Sequence, residues 1–381
     1  MVPWVNGLYI HIPFCSKVCD YCDFSVLSAP ERMHGEFVDL LIKELNCLMK
    51  RYPEFRSDCE TLYIGGGTPS LLSESLLLKI FSEIKNLGFS LSWKEATMEL
   101  NPESCSKEKL NLARNFGVNR FSLGVQTFSK NLLNLVGRKH TPEMARQALS
   151  LLREMQSDGI QYSADLMFML PNQTLENFIS DLESLVGYSP DHISFYGLQV
   201  SPNTLLESRI RRGKLIVDET LYAPMYNTGV SLLKEKGYER YEVSNFSKPG
   251  KESVHNLNYW CRGEYLGIGP GAHSYFEKVR FNAPTRYGNW KKWVLAGCPE
   301  SLYEKDVLNR ESEILEEIWL SLRLSKGLDL EHLKKKYDYD LVEEKMDYWV
   351  KKNYLQKKGN RISLIGNGWL MMDQVVSDLS P

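Results

Sequence analysis

The sequence has no long apolar run, and no uninterrupted stretch approaches the length that is needed to span a bilayer. It also lacks a charge excess, since 46 Lys and Arg stand against 48 Asp and Glu. That balance indicates neither a nucleic-acid partner nor an acidic membrane surface. Residues 1–7 have no basic side chain and no cleavage pattern of a signal peptide. We therefore expect a cytoplasmic protein.

The chain has eight cysteines, and their distribution is uneven. Three of the eight cysteines follow the apolar run Leu8–Phe14 with the spacing C-x3-C-x2-C, and these are Cys15, Cys19 and Cys22. Three is an odd number and no secretory signal is present, so a disulfide explains the group poorly. A structural zinc site usually has four ligands, and a second C-x2-C pair is absent. Thiolates also hold iron–sulfur clusters, normally four per cluster, so three would leave one iron open.

Apolar, β-branched or aromatic runs alternate with segments of helical periodicity through the first half of the chain. The runs predict six strands near 8–14, 61–65, 96–100, 121–127, 163–170 and 193–200. Thr141-Pro142 and Thr174 have the residue types that begin helices. Six strand–helix units predict an α/β fold with a parallel sheet, either open or curled as a partial barrel.

Polar residues and glycines follow these strands, where α/β barrels place their chemistry. The turn 65–70 reads GGGTPS and lacks the Gly-Lys-Ser/Thr of a phosphate-binding loop. Further along, Glu99, Gln126, Arg138 and Asp165 lie at or near successive strand ends. An Asp could bind ribose hydroxyls and an Arg could pair with a carboxylate. Alternatively, each of these side chains makes a hydrogen bond within the barrel.

The cysteine spacing and the GGGTP turn together resemble the radical S-adenosylmethionine (SAM) superfamily. The resemblance implies that Cys15, Cys19 and Cys22 ligate a 4Fe–4S cluster, and that SAM chelates the fourth iron through its amino and carboxylate groups. An electron from the cluster would then cleave SAM to a 5′-deoxyadenosyl radical. Tyr21 would shield the cluster, and the GGGTP turn would contact the SAM amino group. Zinc binding and chance clustering remain the alternatives.

Longer segments, among them Tyr9–Cys15 and residues 117–126, are similar to the oxygen-independent coproporphyrinogen III oxidase family. This resemblance covers nearly the whole chain. It implies a radical SAM partial (β/α)6 TIM-like barrel with a C-terminal accessory domain. The residues that it implies at the SAM site are Tyr9, Tyr21, Gly66, Gly67, Thr68, Glu99, Gln126, Arg138 and Asp165.

Two departures favour a sister branch, the HemW-type haem chaperones. Phe24 stands where the resemblance to the oxidases implies a fourth cysteine, and the first strand begins too early for their N-terminal extension. Residues 255–260 read HNLNYW and resemble the H-N-x-x-Y-W motif of the chaperone branch. His255 is therefore the candidate haem ligand, with Cys261 and His273 as weaker candidates. A histidine beside aromatic residues is alternatively a satisfied core residue.

The C-terminal part changes character. Helical faces are followed by an alternating pattern around Gly359-Asn360 that predicts a hairpin, and together they suggest a mainly helical, winged-helix-like domain. Acidic residues outnumber basic ones over 311–381, so the lysine runs there indicate solvated faces and no nucleic-acid partner. We predict a core domain over 1–240, a connecting segment over 241–300 that carries the HNLNYW motif, and the accessory domain over 301–381.

The resemblance implies a haem chaperone that binds haem and a SAM-coordinated cluster and passes haem to acceptor haemoproteins, respiratory ones among them. An electron donor for the cluster is implied, and contact with membrane-bound acceptors would be peripheral. The alternative is an oxygen-independent coproporphyrinogen III oxidase, which decarboxylates its substrate to protoporphyrinogen IX. Whether the chain is an enzyme is left open by these residues.

Overall fold

The structure is a computed structural model that describes residues 5–381. The expectation that residues 1–7 are not part of a signal peptide therefore lies partly outside the described residues. The strands of the described residues are β1 (Asn6–Ile12), β2 (Cys59–Gly66), β3 (Glu95–Leu100), β4 (Arg120–Gln126), β5 (Gln161–Phe168), β6 (His192–Gly197), β7 (Glu239–Arg240), β8 (Asn245–Ser247), β9 (Tyr265–Ile268), β10 (His273–Phe276), β11 (Val279–Asn282), β12 (Glu304–Asp306), β13 (Leu328–Asp329), β14 (Leu355–Lys358) and β15 (Arg361–Leu364).

The helices of the same residues are α1 (Arg32–Arg51), α2 (Phe55–Asp58), α3 (Glu74–Asn86), α4 (Lys107–Asn115), α5 (Lys130–Leu135), α6 (Pro142–Met155), α7 (Leu175–Val186), α8 (Leu205–Arg211), α9 (Tyr222–Glu235), α10 (Val254–Trp260), α11 (Tyr287–Leu295), α12 (Arg310–Arg323), α13 (Leu330–Tyr337), α14 (Glu343–Lys351) and α15 (Met372–Leu379). In residues 5–381, no helix combines the length and apolar character that crossing a membrane requires.

Strands β1 to β6 form a parallel sheet in chain order, which confirms the predicted α/β fold. Each of the six predicted runs corresponds to one strand, although the ends differ by a few residues. Phe14, for example, lies beyond β1 and forms an isolated bridge with Leu27. All six strands run in one direction, so their carboxyl ends lie at one edge of the sheet, where the predicted site residues cluster.

The predicted helix starts are also present. The side chain of Thr141 accepts a hydrogen bond from the backbone of Met144 and caps α6, with Pro142 at the first helical position. Thr174 caps α7 in the same way and forms a capping box with Asn177. These caps satisfy amide groups that a helix leaves unpaired at its start.

The sheet continues beyond the six predicted strands on both sides. On one side β9 pairs in parallel with β1, and β10, β11 and β12 extend the sheet as antiparallel strands. On the other side β8 and β7 follow β6. Residues 241–300 thus add strands to the main sheet as well as connecting two parts of the chain. The domain limits stay a prediction.

The C-terminal residues fold in the order α12, β13, α13, α14, β14, β15 and α15. The three strands form a separate sheet in which β15 lies between β13 and β14. The turn Gly359-Asn360 joins β14 and β15 as the predicted hairpin, and Gly359 has a positive φ of 56°. Two helices followed by a hairpin are the elements of a winged-helix-like domain.

Candidate functional site

The cysteine loop leaves the carboxyl end of β1 and is held in place by contacts on both of its sides. The amide of Cys15 donates to the carbonyl of Leu27, and the amide of Asp20 donates to the carbonyl of Val136. The buried Asp20 carboxylate forms an ion pair of 2.7 Å with the partly exposed Arg209. These contacts fix the loop against the ends of the neighbouring strands before any ligand is bound.

The three cysteines open onto one cavity of about 670 Å³, which we call the cysteine cavity. That volume lies within the usual range of small-molecule sites. The predicted site residues on its wall are Cys15, Cys19, Tyr21, Cys22, Gly66, Gly67, Glu99, Gln126, Arg138 and Asp165. Of the remaining predictions, Thr68 lies behind Cys15, whereas Tyr9 and His255 lie away from this wall.

A chain of hydrogen bonds connects two of the cysteines. The hydroxyl of Thr68 donates to the sulfur of Cys15 at 3.7 Å and accepts from Asn101 Nδ2 at 2.7 Å. Arg138 then donates to Asn101 Oδ1 at 2.8 Å and to the sulfur of Cys19 at 3.7 Å. Donors directed at sulfur stabilise the thiolate form, which is the form that binds metals.

Glu99 is the main acidic group on the cavity wall, and its two oxygens are held separately. Tyr63 donates to Oε1 at 2.7 Å, and the amide of Gly66 donates to Oε2 at 3.0 Å. Burial raises the pKa of Glu99 to about 7 and that of Asp165 to about 6. These two carboxyl groups can therefore bind an amino group or hydroxyls of a ligand. Such donors would stabilise the charged form of each carboxylate.

Gln126 is placed by an unusual backbone. Its φ is +66°, and the pairing of β4 with β5 is irregular between Gly124 and Gln126. A positive φ at a residue other than glycine is strained and is frequent at functional sites. The irregularity directs the buried Gln126 side chain to the cavity wall at the end of its strand.

The GGGTP turn has a packing reason for its glycines. A Cβ on Gly67 would lie 2.6 Å from the carbonyl oxygen of Phe14 and 3.0 Å from the sulfur of Cys15. A Cβ on Gly66 would lie 2.5 Å from the ring of His11, and the φ of Gly66 is +108°. The turn therefore approaches the cysteine loop more closely than any other residue type would allow.

The donor set of the cavity fits an iron–sulfur group. Burial raises the pKa of Cys15 to about 11, so the free thiol keeps a proton that metal binding would displace. Nε of Arg138 is buried without a hydrogen-bond partner among residues 5–381, which leaves a donor for a carboxylate. No three metal-binding side chains of this part of the chain surround a single ion, whereas the three thiolates of a 4Fe–4S site each bind a different iron.

Several residues on or behind the wall were not predicted. Tyr63 and Asn101 position Glu99 and Arg138, and their only sequence signal is a polar side chain in or directly after a strand. Trp319, Trp369 and Asp373 reach the cavity from the C-terminal domain. Nothing in the sequence indicates that contact, because an amphipathic helix does not specify which surface it covers.

His255 is fully buried in this structure. A hydrogen bond of 2.8 Å joins its Nδ1 to the hydroxyl of Thr61, and another of 2.7 Å joins its Nε2 to the hydroxyl of Tyr259. Burial and the nearby Arg120 lower the pKa of His255 to about 3. With both nitrogens occupied, the ring could reach a haem only if α10 moved, so its role as a haem ligand stays a prediction.

A second cavity of about 610 Å³ adjoins the first, and we call it the aromatic cavity. Its aromatic wall consists of Tyr9, Phe24, Tyr259, Trp260, Tyr265, Tyr275 and Trp319. Phe24, Gly66, Glu99 and Trp319 line both cavities. The side chain of Phe24 is 68% exposed, which is unusual for a large apolar residue. Tyr9, predicted at the SAM site, belongs to this second wall.

Comparison with known proteins agrees with this geometry. Residues 9–185 match the radical SAM superfamily. The heme chaperone HemW of Lactococcus lactis is 34% identical over 97% of this chain and 96% of its own length. The heme chaperone HemW of Escherichia coli is 38% identical over 72% of this chain and 70% of its own length. The structure of coproporphyrinogen III oxidase (HemN) from Escherichia coli superposes with a TM-score of 0.84 at 21% identity, covering 100% of this chain and 91% of that one.

The parallel sheet with cysteines at its carboxyl edge defines a radical SAM domain, a class that implies a 4Fe–4S cluster and SAM. Within that class, the chain belongs to the family of the heme chaperone HemW, because the similarity extends over almost its entire length. The resemblance that the sequence motifs indicated is thereby confirmed. The likeness to the oxidase structure concerns the fold.

Proposed function

We propose that this protein is a haem chaperone that carries a SAM-coordinated 4Fe–4S cluster and passes haem to acceptor haemoproteins. The observation that carries the proposal is the match to heme chaperones over nearly the whole chain. Phe24 supports it, because an exposed aromatic side chain occupies the position of the fourth cysteine that the oxidase resemblance implies. An apolar ring between the two cavities suits contact with a flat apolar cargo.

In this proposal Cys15, Cys19 and Cys22 would hold the cluster and leave it open to SAM, and together these groups would supply radical chemistry. Glu99 and the GGGTP turn bind the amino group, because the carboxylate faces the cavity beside the amide of Gly66. Arg138 has a donor left for the SAM carboxylate.

The remaining site residues surround the rest of that ligand. Asp165 accepts the ribose hydroxyls, and Gln126, Tyr21 and Thr68 complete the surroundings of the adenosyl group and the cluster. Tyr9 contributes from the neighbouring wall, where a hydrogen bond of 3.0 Å joins its hydroxyl to Nδ1 of His11. These assignments follow the positions of the side chains on or behind the cavity wall.

The partners in this proposal are haem, acceptor haemoproteins that include respiratory ones, and an electron donor for the cluster. Contact with membrane-bound acceptors is peripheral. A cytoplasmic location belongs to the proposal as well, because a reducing compartment protects an exposed cluster from oxidation.

The test is a haem titration of the reconstituted protein under anaerobic conditions, followed by incubation with a haem-free acceptor. We expect one haem per chain, and transfer to the acceptor that is seen as a change in its absorbance. A protein that binds no haem stoichiometrically would refute the proposal. Serum albumin serves as a control carrier that binds haem without any specific acceptor.

The alternative function is oxidative decarboxylation of coproporphyrinogen III. The same sample, supplied with SAM, a reductant and coproporphyrinogen III, discriminates between the two functions. We expect SAM-dependent product to be absent, because a fourth cysteine does not stand at position 24. Formation of protoporphyrinogen IX would restore the oxidase hypothesis.

A further inference from the structure

The aromatic cavity has the properties of a site for a flat apolar ligand. Aromatic side chains reach it from four directions: Tyr259 from α10, Tyr265 from β9, Tyr275 from β10 and Trp319 from α12. The volume of about 610 Å³ lies within the range of small-molecule sites. Aromatic walls bury the faces of a ring system with little loss of conformational entropy.

One histidine of this wall has ring nitrogens that the fold leaves available. Hydrogen bonds or ion pairs of residues 5–381 engage the rings of His11, His140, His192, His255 and His332, and none engages the ring of His273. His34 is buried against Phe14 and lines neither cavity. His273 is solvent-exposed and lies on the wall of the aromatic cavity.

The position of His273 is fixed by the second glycine run of the sequence. A Cβ on Gly267 would lie 2.2 Å from the carbonyl oxygen of His273, and a Cβ on Gly269 would lie 2.4 Å from that of His11. The amide of Gly267 also donates to Ser274 Oγ at 2.9 Å. The run therefore holds the backbone of the first residue of β10 close against β9.

We propose that the aromatic cavity is the haem-binding site and that His273 is the axial ligand of the haem iron. This inference rests on the proposed function, since it identifies where the cargo binds. Imidazole nitrogen is the common protein ligand of haem iron, and His273 is the histidine of this wall that needs no rearrangement to provide it. Arg280 on the same wall is about 30% exposed and forms an ion pair with Glu316 at 2.6 Å, so a propionate there would share this cation with Glu316.

A further observation agrees with the assignment. Glu99, Gly66, Phe24 and Trp319 form the wall between the two cavities, so the haem lies directly beside the SAM site. A change in the cluster or in SAM could therefore affect the bound haem through this shared wall.

The first test is an anaerobic titration of the full-length, cluster-loaded chain with ferric haem, recorded as difference spectra and by electron paramagnetic resonance. We expect His273→Ala to weaken haem binding about tenfold or more and to lose the histidine-ligated spectrum. Added imidazole should restore that spectrum in the variant, because the cavity is still present. The matched control is His332→Ala, whose exposed histidine lies in the C-terminal domain.

The second test needs no substitution. Diethyl pyrocarbonate modifies exposed imidazoles, so we expect haem to protect His273 and to leave His332 reactive, as measured by mass spectrometry of the wild-type chain. Equal modification of both with haem bound, or wild-type affinity and spectrum in His273→Ala, would overturn the assignment alone. A wild-type chain that takes up no haem would instead refute the proposed function.

Discussion

The two cavities are built in different ways. Where the parallel strands end, polar side chains line the cysteine cavity, and hydrogen bonds through Thr68, Asn101 and Arg138 join them. The aromatic cavity is lined by rings from elements that are far apart in the chain, and Tyr259 and Trp319 are examples. The cysteine cavity suits a ligand with defined polar groups, whereas the aromatic cavity suits a ligand with a large, flat apolar surface. Substitutions away from the four residues that line both cavities should therefore affect one cavity and spare the other.

The largest expected effect concerns the cysteines. Replacing Cys15, Cys19 or Cys22 by alanine should abolish the iron–sulfur absorbance and nearly all bound iron after anaerobic reconstitution, because each removes one of three thiolates. Cys47→Ala is the matched control, since Cys47 is also half-buried and lies in α1 away from the cavity. Equal iron content in all four variants would show that the loop does not hold the cluster.

Two glycine substitutions separate the cavities. Gly67→Ala places a Cβ 3.0 Å from the sulfur of Cys15, so it should lower the iron content and destabilise the fold by about 1–3 kcal/mol. Gly267→Ala pushes on the carbonyl of His273, so it should weaken haem binding and keep the cluster. Iron analysis and haem titration of both variants measure this. Parallel losses of iron and haem in both variants would mean that the cavities act as one site.

Glu99→Gln should weaken SAM binding by about ten- to a hundredfold, because a charged hydrogen-bond acceptor is lost. In the wild type, SAM affinity should fall as the pH drops through about 7, where Glu99 takes up a proton, with Asp165 following near 6. The variant should show a much flatter dependence near pH 7. Equilibrium dialysis with labelled SAM across pH 6–8 on the wild type and variant measures both.

The stability of the ligand-free fold should rise as the pH falls, whereas the SAM affinity falls. A carboxyl group whose pKa is raised by folding destabilises the folded state most at a pH above that raised pKa. The destabilisation vanishes as the pH falls to the pKa of the same group in the unfolded chain. Glu99→Gln should therefore raise the melting temperature of the ligand-free protein at pH 8, with a difference that shrinks towards pH 5. A lower melting temperature at pH 8 would show that the bonds from Tyr63 and Gly66 outweigh the burial of charge.

The smallest effect tests the steric argument itself. Gly35 lies inside α1, and a Cβ at this position would meet no other atom within 4 Å, so Gly35→Ala should stabilise the fold by about 0.5–1 kcal/mol. Denaturant unfolding of this variant beside Gly67→Ala measures the contrast. A destabilised Gly35→Ala would mean that glycine contacts near the cysteine loop are not what distinguishes position 67.

The difference between the cavities also explains what could be predicted from the sequence. Apolar runs and strand-end polar residues are local signals, so the six parallel strands and the positions of Glu99 and Asp165 followed from them. The aromatic cavity depends on β9, a four-residue strand that contains Gly267, and on the face of α12 that carries Trp319. β9 has no local signal, and the apolar periodicity that predicts the face of α12 with Trp319 does not specify which distant surface that face meets.

Backbone strain was also beyond prediction. The positive φ of Gln126 accompanies the irregular pairing of β4 with β5. A glutamine in the sequence does not predict such a backbone conformation. The buried state of His255 is similar, since the hydroxyl of Thr61 that occupies its ring lies on another strand. Motif resemblance identified the segment, and the tertiary contacts decided what its histidine touches.

The pairing of β1 with β9 has a consequence for how the protein is made. Gly7 pairs with Tyr265, so one edge of the first strand has no partner until more than two thirds of the chain has left the ribosome. Pairing across such a sequence distance is slow, and an open strand edge invites association with other chains. The cysteine loop follows directly on that strand. During synthesis this open edge of β1 is therefore a place where the nascent N-terminal half can associate with other chains.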